Sequence, residues 1–265
     1  MLRASHQSRP SRLLHDPYAP QLLPGPLVRW LVRTRWIPRV IDTIDPVIID
    51  QLASRDRFAD EWALSGKDHI TQLVLLGSGL DTMSWRLDEA MPHARFFELD
   101  LSTMLEYKQR RLRWGGPLPT LSRCTTVPID FEQDHLGDVL QAAGFDTQQA
   151  TFVNWMGVSY FLPLEVVDGV FATLRDLTPP GSIVAFDYQR TGGPADTKKV
   201  RRFLTRVGEP FKTFFHEEEI PKLAERNGFS VAAQIPAHVC VARCQGTAAP
   251  WMSHISLAAF RRRDD

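Results

Sequence analysis

Two glycines and an aspartate follow the first long apolar run of the chain. The run LVLL at 73–76 leads into GSG at 77–79, and Asp81 stands two residues further on. A glycine turn after a strand lets a ligand approach the backbone closely, and its G-x-G-x-x-G form binds a pyrophosphate. Here Thr82 stands in place of the third glycine. Because the carboxylate of Asp81 would repel a phosphate and attract an ammonium group, the turn predicts a ligand that is neutral or cationic.

Two more aspartates come directly after apolar runs. Asp100 closes FFELD roughly 20 residues after Gly79, where an acid accepts hydrogen bonds from ribose hydroxyls. Asp130 follows the next run with Phe131 beside it, an arrangement that suits an adenine amino group and its ring. A phosphate-free nucleoside with an ammonium group and a positive centre is S-adenosyl-L-methionine. Simpler explanations exist, since Asp81 is a good helix cap and Asp100 ends a strand.

The elements that must position these residues alternate along the chain. Short apolar runs are separated by stretches of helical periodicity, which is typical of βαβ units and of a parallel sheet with helices on both faces. Two final apolar stretches, 229–235 and 255–260, predict an antiparallel hairpin at one edge with no helix between them. The polar segment 189–203 predicts a mobile flap. The predicted strands are 70–76, 94–99, 125–129, 150–155 and 182–188, and the predicted helices are 46–64, 164–177 and 216–227.

Composition narrows the class of protein. The chain of 265 residues has 31 basic and 31 acidic residues and is 43% hydrophobic, as expected of a globule with a sizeable core. Balanced charge argues against nucleic acid and membrane as partners. The segment 1–45 predicts short helices and loops, and its apolar part, 22–32, is broken by two prolines and an arginine, unlike a signal peptide. We therefore expect a cytoplasmic protein, with Cys124, Cys240 and Cys244 as reduced thiols and no metal site.

Several motifs resemble the leucine carboxyl methyltransferase family, a class I methyltransferase group that includes bacterial polyketide-type O-methyltransferases. LVLLGSGLDTMSWRL at 73–87 is similar to its first motif, FFELDLSTMLEYKQRRL at 96–112 to its second-strand motif, and WMGVSYFLPLEVV at 155–167 to its fourth. Further matches lie at 3–19, 54–60 and 208–231, so the resemblance covers nearly the whole chain.

The resemblance implies an α/β fold of the Rossmann-like class I methyltransferase type. Its sheet has seven strands, mostly parallel, with an antiparallel edge strand and an N-terminal helical cap. The implied layout is a single methyltransferase domain over 1–265, with the cap at 1–65 and an insertion at 189–215 that forms a lid over the methyl acceptor.

The resemblance also implies roles for individual residues. Arg55 would bind the carboxylate of the cofactor's methionine part and Gly77 would line the same end, with Arg3 assisting. A guanidinium suits this role because it forms two parallel hydrogen bonds with a carboxylate. A surface ion pair with Asp56 or Asp60 is the alternative for Arg55, and Arg57 competes for its role. The predicted cofactor-binding residues are Arg3, Arg55, Gly77, Ser78, Gly79, Asp81, Asp100, Leu101, Asp130, Phe131 and Met156.

One position departs from the family pattern. Many members carry a glutamate just before the glycine of the fourth motif, near the methionine part of the cofactor. Met156 stands there in this chain, before Gly157. The departure leaves the class of acceptor open.

The leading hypothesis is an S-adenosyl-L-methionine-dependent O-methyltransferase for a small natural-product carboxylate or hydroxyl. The alternatives are C- or N-methylation, a rearrangement, or a cofactor-binding protein without catalysis. A nicotinamide dehydrogenase is disfavoured by the turn described above. We expect a small-molecule acceptor and a monomer or homodimer. Tyr160, Tyr188 and Arg190 are candidates to orient the acceptor, although a core position suits the tyrosines equally well.

No general base is predicted from the eight histidines. His216 is predicted as a helix N-cap, His238 as a strand end, and His6 as part of a mobile N-terminus. A carboxylate acceptor needs no base, because it is ionised at neutral pH.

Overall fold

The computed structural model describes residues 2–8, 12–39, 48–115, 121–193, 196–208, 210–245 and 255–264. The strands within them are β1 Gln72–Leu76, β2 Arg95–Asp100, β3 Cys124–Pro128, β4 Thr151–Trp155, β5 Ile183–Gln189, β6 Phe229–Pro236 and β7 Ile255–Arg262. The helices are α1 Leu2–His6, α2 Gly25–Arg33, α3 Ile48–Ser65, α4 Met83–Arg86, α5 Ser102–Gly115, α6 Leu136–Ala142, α7 Leu164–Leu177, α8 Lys198–Val207, α9 Glu219–Arg226 and α10 Ala237–Gln245. Short 3-10 helices span Ala19–Leu22 and Ser159–Phe161.

The described strands form one seven-stranded sheet in the order β3-β2-β1-β4-β5-β7-β6. Strands β1 to β5 are parallel to their neighbours among them. Strand β7 is antiparallel to β5 and β6. The order reverses between β1 and β4, and such a switch point places a ligand beyond the carboxyl ends of the strands. The predicted sheet, including its antiparallel edge, is confirmed.

Helices pack on both faces of the sheet, as predicted. One face buries Trp155, Phe186 and Phe260 against Phe171 of α7. The other face buries Phe96, Phe152 and Leu257 together with Phe58 and Ala63 of α3.

The three helix predictions compare directly with the structure. Helix α7 has the predicted bounds, and its apolar stripe is the buried face. Helix α9 is shorter than the predicted 216–227, and Gly228 follows its end with a φ of 74°. Helix α3 covers most of the predicted 46–64, of which 46 and 47 lie outside the described residues.

The connection between β6 and β7 was predicted wrongly. The two strands do pair antiparallel at the sheet edge, but α10 lies between them rather than a plain turn. Its buried residues Ala237, Cys240 and Val241 face α3, and the Cys240 thiol lies 3.6 Å from the carbonyl oxygen of Ser54. Tertiary packing stabilises a helix whose own sequence signal is weak. His238 is therefore in a helix, not at a strand end.

The N-terminal segment is also more ordered than predicted. His6 lies in α1 with 1% of its surface exposed, and its Nε2 accepts a hydrogen bond from the N–H of Leu13 at 3.1 Å. The mobile setting predicted for His6 is thus wrong. Helix α1 packs against α3 and against the 3-10 helix Ala19–Leu22.

The segment after β5 was predicted as a flap at 189–203. Gln189 still belongs to β5, and α8 begins at Lys198. The chain then returns to the sheet, where the N–H of Phe215 donates to the carbonyl of Gln189 at 2.9 Å. The excursion is thus closed at its base by backbone pairing.

None of the helices in the described part of the chain combines the length and the apolar character of a membrane span. Among the described residues, no three His, Cys, Asp or Glu side chains are grouped in a way that could hold a metal ion.

Candidate functional site

The site lies at the carboxyl edge of the sheet. Because β1 to β4 are parallel, the residues that follow them meet at one edge. A cavity of about 460 Å³ opens there, between the turn at 77–79 and the N-terminal helices. We call it the glycine-turn cavity. The predicted cofactor-binding residues that line it are Arg3, Arg55, Gly77, Ser78, Gly79, Asp81 and Met156.

The glycine turn has a backbone that other residues adopt poorly. The φ angles of Gly77 and Gly79 are 69° and 45°, in the left-handed region. A Cβ on Gly77 would lie 2.3 Å from Cγ2 of Val158, so the turn packs directly against the loop after β4. Ser78 is buried, and its Oγ has no hydrogen-bond partner among the described residues. The turn thus presents bare backbone and a buried hydroxyl to the cavity.

Asp100 is bonded to the glycine turn. Its carboxylate accepts hydrogen bonds from the N–H of Gly79 at 2.7 Å and from the N–H of Leu101 at 2.8 Å. Burial raises the pKa of Asp100, although these two N–H groups oppose the shift. Leu101 is 49% exposed beside it.

Asp130 stands one strand further from the cavity. The N–H of Ile129 donates to the carbonyl of Asp100 at 2.9 Å, which keeps the ends of β2 and β3 adjacent. The side chain of Asp130 accepts from the N–H of Glu132 at 3.0 Å, so it currently closes a local turn. Phe131 is partly buried against the core. Asp100, Leu101, Asp130 and Phe131 thus extend the site beyond the cavity wall.

Asp81 is held by two arginines. Arg3 lies 3.0 Å from Oδ1 of Asp81, and Arg86 donates to the same oxygen at 3.1 Å. Burial opposes ionisation, but Arg3 and Arg86 outweigh it and hold the pKa of Asp81 well below its usual range. Oδ1 also accepts from the N–H of Met83, the first residue of α4, at 2.8 Å, although the N-cap position itself is Thr82. An ammonium group would have to share this carboxylate with two guanidinium groups.

The arginine pairs extend below the cavity wall. Arg86 is bidentate to Asp60, with Nε to Oδ2 at 2.9 Å and Nη2 to Oδ1 at 2.8 Å. Arg3 also reaches Asp56, at 2.8 Å from Nε to Oδ2. Asp60 thus pairs with Arg86, and Asp56 pairs with Arg3. Arg55 pairs with neither of them, so the surface ion pair considered for Arg55 does not form.

Arg55 reaches the cavity from α3 and is almost fully buried. Its Nη1 donates to the hydroxyl of Tyr160 and to Oδ2 of Asp187, both at 3.0 Å. Burial would lower the pKa of Arg55, but Tyr160 and Asp187 outweigh it and raise it above the ordinary value. Its Nε is buried with no hydrogen-bond partner among the described residues. Arg57, the competing candidate, is 43% exposed and pairs with Glu61.

Asp187 is the residue of this group that sequence reasoning missed. It is the fifth residue of β5, in a run that reads only as a buried strand, IVAFDYQ. A charged residue inside such a run is the signal that points to it, because buried charges are paired. Its 0% exposure and its bond to Arg55 show that the pair is internal.

The three candidates for orienting an acceptor separate in space. Tyr160 is 5% exposed and bonds to Arg55. Tyr188 is in the core, and its hydroxyl accepts from Nε2 of Gln234 at 2.9 Å, in a separate cavity of about 330 Å³. Arg190 donates to Glu217 at 2.7 Å. The structure thus brings only Tyr160, of these three, together with the residues that line the glycine-turn cavity.

Family membership follows from sequence similarity along the chain. The leucine carboxyl methyltransferase family matches residues 1–175, more than half of the chain. The chain belongs to the leucine carboxyl methyltransferase family. The resemblance of its motifs is therefore confirmed, and with it the methyltransferase class of activity.

Two sequence relatives agree with the assignment, and one solved structure shares the fold. A protein of Frankia alni, provisionally named as an S-adenosyl-L-methionine-dependent methyltransferase, is 32% identical over 82% of this chain and 71% of its own. A similarly named protein of Mycolicibacterium vanbaalenii is 34% identical over 78% and 70%. A methyltransferase structure from Thermobifida fusca, also provisionally named, covers 97% of this chain and 96% of its own at 18% identity, with a TM-score of 0.63. That last likeness concerns the fold alone.

The described residues suit an S-adenosyl-L-methionine molecule. The left-handed glycine turn lines the cavity without side chains at Gly77 and Gly79, and a Cβ on Gly77 would clash with Val158. The buried Nε of Arg55 lacks the acceptor that a ligand carboxylate would supply. Asp100 provides acceptor oxygens at the next strand end. These donors and acceptors complement those of a nucleoside that carries a zwitterionic amino-acid part.

Proposed function

We propose that this protein is an S-adenosyl-L-methionine-dependent O-methyltransferase acting on the carboxylate or hydroxyl of a small natural product. The observation that carries the proposal is the glycine-turn cavity, which is lined both by Arg55, whose Nε has no hydrogen-bond partner among the described residues, and by a left-handed glycine turn. Family membership supports the reaction type.

In this proposal, different residues bind different parts of the cofactor. Arg55 binds the carboxylate of the methionine part. The glycine turn at 77–79 lets the cofactor lie close to the protein backbone. Asp100 accepts hydrogen bonds from the ribose hydroxyls, with Leu101 beside it. Asp130 and Phe131 take the adenine at the neighbouring strand end.

The chain's contribution to methyl transfer is alignment. When bound, S-adenosyl-L-methionine supplies a methyl group on a sulfonium, which is already an activated leaving group. The protein has to hold the acceptor in line with that methyl group and to keep water out, and such positioning accounts for much of the rate. Met156 and Gly157 form part of the cavity wall that serves this purpose, together with apolar residues of the N-terminal segment such as Leu22 and Leu23.

The cavity lining favours a carboxylate acceptor over a hydroxyl. No histidine is among the described residues that line the cavity, and Asp81 is held by two arginines rather than free to take a proton. A carboxylate is ionised at neutral pH and needs no base, whereas a hydroxyl is helped by one.

A second cavity gives the acceptor a place to bind. A groove of about 450 Å³ lies between α1 and α2, and Ala4 lines both it and the glycine-turn cavity. Its wall is apolar at Val32, Pro20 and Pro26, and polar or charged at Gln7, Ser8, Arg29 and Arg33. Trp30 also lines the groove, with 56% of its surface exposed. In our proposal this α1–α2 groove binds the apolar body of the acceptor.

Transfer of a labelled methyl group tests the proposal. The purified protein is incubated with methyl-labelled S-adenosyl-L-methionine and a panel of apolar carboxylic acids and phenols. We expect label on oxygen, and mild base should release it as methanol where the product is an ester. Label found only on nitrogen or carbon would contradict O-methylation, and absence of S-adenosylhomocysteine binding would contradict the cofactor.

A further inference from the structure

One buried aspartate bonds to two separate parts of the cavity wall. Oδ2 of Asp187 accepts from Nη1 of Arg55 at 3.0 Å, and Oδ1 accepts from the N–H of Gly157 at 2.7 Å. Arg55 belongs to α3, whereas Gly157 belongs to the loop after β4, and both line the glycine-turn cavity. Asp187 is not part of that lining and is 0% exposed. Its effect on a ligand must therefore pass through Arg55 and Gly157.

Arg55 and Asp187 form an ion pair whose charges compensate each other. A buried guanidinium is costly without a counter-charge, and the carboxylate of Asp187 supplies it. Burial raises the pKa of Asp187, while Arg55 and the N–H of Gly157 act in the opposite direction. The residue before Gly157 is Met156, so β4 contributes no acid here and the compensating charge comes from the next strand, β5.

Both of these hydrogen bonds of Arg55 come from the same guanidinium nitrogen. Nη1 is engaged by Asp187 and by the hydroxyl of Tyr160, both at 3.0 Å. Nε remains without a partner among the described residues. The internal bonds thus anchor the guanidinium through Nη1 and hold Arg55 in one orientation at the cavity that it lines. Gly157 has a φ of 82° and lets Arg55 lie close to the loop after β4, because a Cβ at this position would lie only 3.2 Å from Nη1.

We propose that Asp187 is a positioning residue that orients Arg55 toward the carboxylate of the cofactor. This inference rests on the proposed function, because it assigns Arg55 to that carboxylate. It predicts that a change at Asp187 weakens only those ligands that carry the amino-acid part. A merely structural ion pair would affect every ligand of the cavity alike.

Two ligands and a double-mutant cycle test the inference. S-adenosylhomocysteine carries the amino-acid part, and 5′-deoxy-5′-methylthioadenosine has the same nucleoside without it. Binding of both is measured by calorimetry with the full chain, for the wild type and for Asp187→Asn, Arg55→Ala and the double variant. The Asp187→Asn side chain can still accept from Gly157 but then turns an amide N–H₂ toward Arg55, which disturbs the guanidinium.

The expected result is selective and non-additive. Asp187→Asn should weaken S-adenosylhomocysteine about tenfold or more, the loss typical of a hydrogen bond to a charged group. The affinity for methylthioadenosine should change less than about threefold, and Asp187→Asn should add nothing in the Arg55→Ala background. Asp187→Glu keeps the charge but displaces it by one methylene, so it should show the same selectivity and serves if Asp187→Asn fails to fold.

The outcomes that contradict the inference are distinct. Equal losses for both ligands, or unchanged affinity for S-adenosylhomocysteine in a folded variant, would overturn the positioning role alone. Failure of the wild type to bind either ligand would overturn the proposed function and this inference with it.

Discussion

The carboxylate of Asp100 accepts a hydrogen bond of 2.7 Å from the backbone N–H of Gly79, so the end of β2 is tied to the glycine turn after β1. The same side chain accepts from the N–H of Leu101. One aspartate therefore shapes the turn and stands at the position proposed for the ribose.

Asp100→Ala should weaken S-adenosylhomocysteine and methylthioadenosine alike. Both carry the ribose, and hydrogen bonds to a charged group contribute about 1.5–3 kcal/mol, or roughly 10–100-fold in affinity. Calorimetry measures the change, with exposed Asp68→Ala as the control. Unchanged affinity in folded Asp100→Ala would exclude the ribose role.

Gly77→Ala should cost more stability than Gly79→Ala. Both glycines have positive φ, and left-handed backbone costs a non-glycine residue roughly 1–2 kcal/mol. Only the Gly77 Cβ would also clash, at 2.3 Å from Val158, whereas the nearest atoms to a Gly79 Cβ lie at 4.0 Å. Urea unfolding measures both variants. Val158→Ala should restore part of the loss at Gly77, and the reverse ranking would contradict the packing described for the turn.

Trp30→Ala should raise the KM for the acceptor several-fold and leave the affinity for S-adenosylhomocysteine unchanged. Trp30 lines the α1–α2 groove and is 56% exposed, so its removal should cost little stability. Trp36 is 61% exposed and is not part of the groove lining, which makes Trp36→Ala the matched control. Equal effects of the two variants on KM would argue against the groove as acceptor site.

Asp56 should make stability fall as the pH rises from 5 to 8. Burial raises its pKa to about 7, against the attraction of Arg3, and nearby Asp81 adds to the rise. A carboxyl whose pKa is higher in the folded state stabilises the fold below its ordinary pKa of 3.8, and that stability is lost as the pH rises through about 7. The free energy of unfolding, measured across this range, should fall less steeply in Asp56→Asn. An identical slope in the two proteins would contradict the shift.

Local patterns in the sequence predicted much of the fold. The five parallel strands and the bounds of α7 depend on apolar periodicity within a few residues. The glycine turn follows β1 directly and Asp100 is the last residue of β2, so both were predictable for the same reason.

What the sequence did not predict depends on distant partners. Helix α10 is stabilised by α3, and the contact of Cys240 with Ser54 joins residues 186 positions apart. The bond between Arg55 and Asp187 spans 132 positions. A charge inside the apolar run of β5 marks Asp187 as a residue that needs a partner, but no local pattern says which partner, and the arginine partners of Asp81 were not foreseen for the same reason.

A crystal structure of the protein with S-adenosylhomocysteine tests the central claim most directly. We expect the ligand in the glycine-turn cavity, with its carboxylate on Nε or Nη2 of Arg55 and its ribose hydroxyls on Asp100. A ligand bound away from the turn, or a carboxylate that does not contact Arg55, would contradict the account.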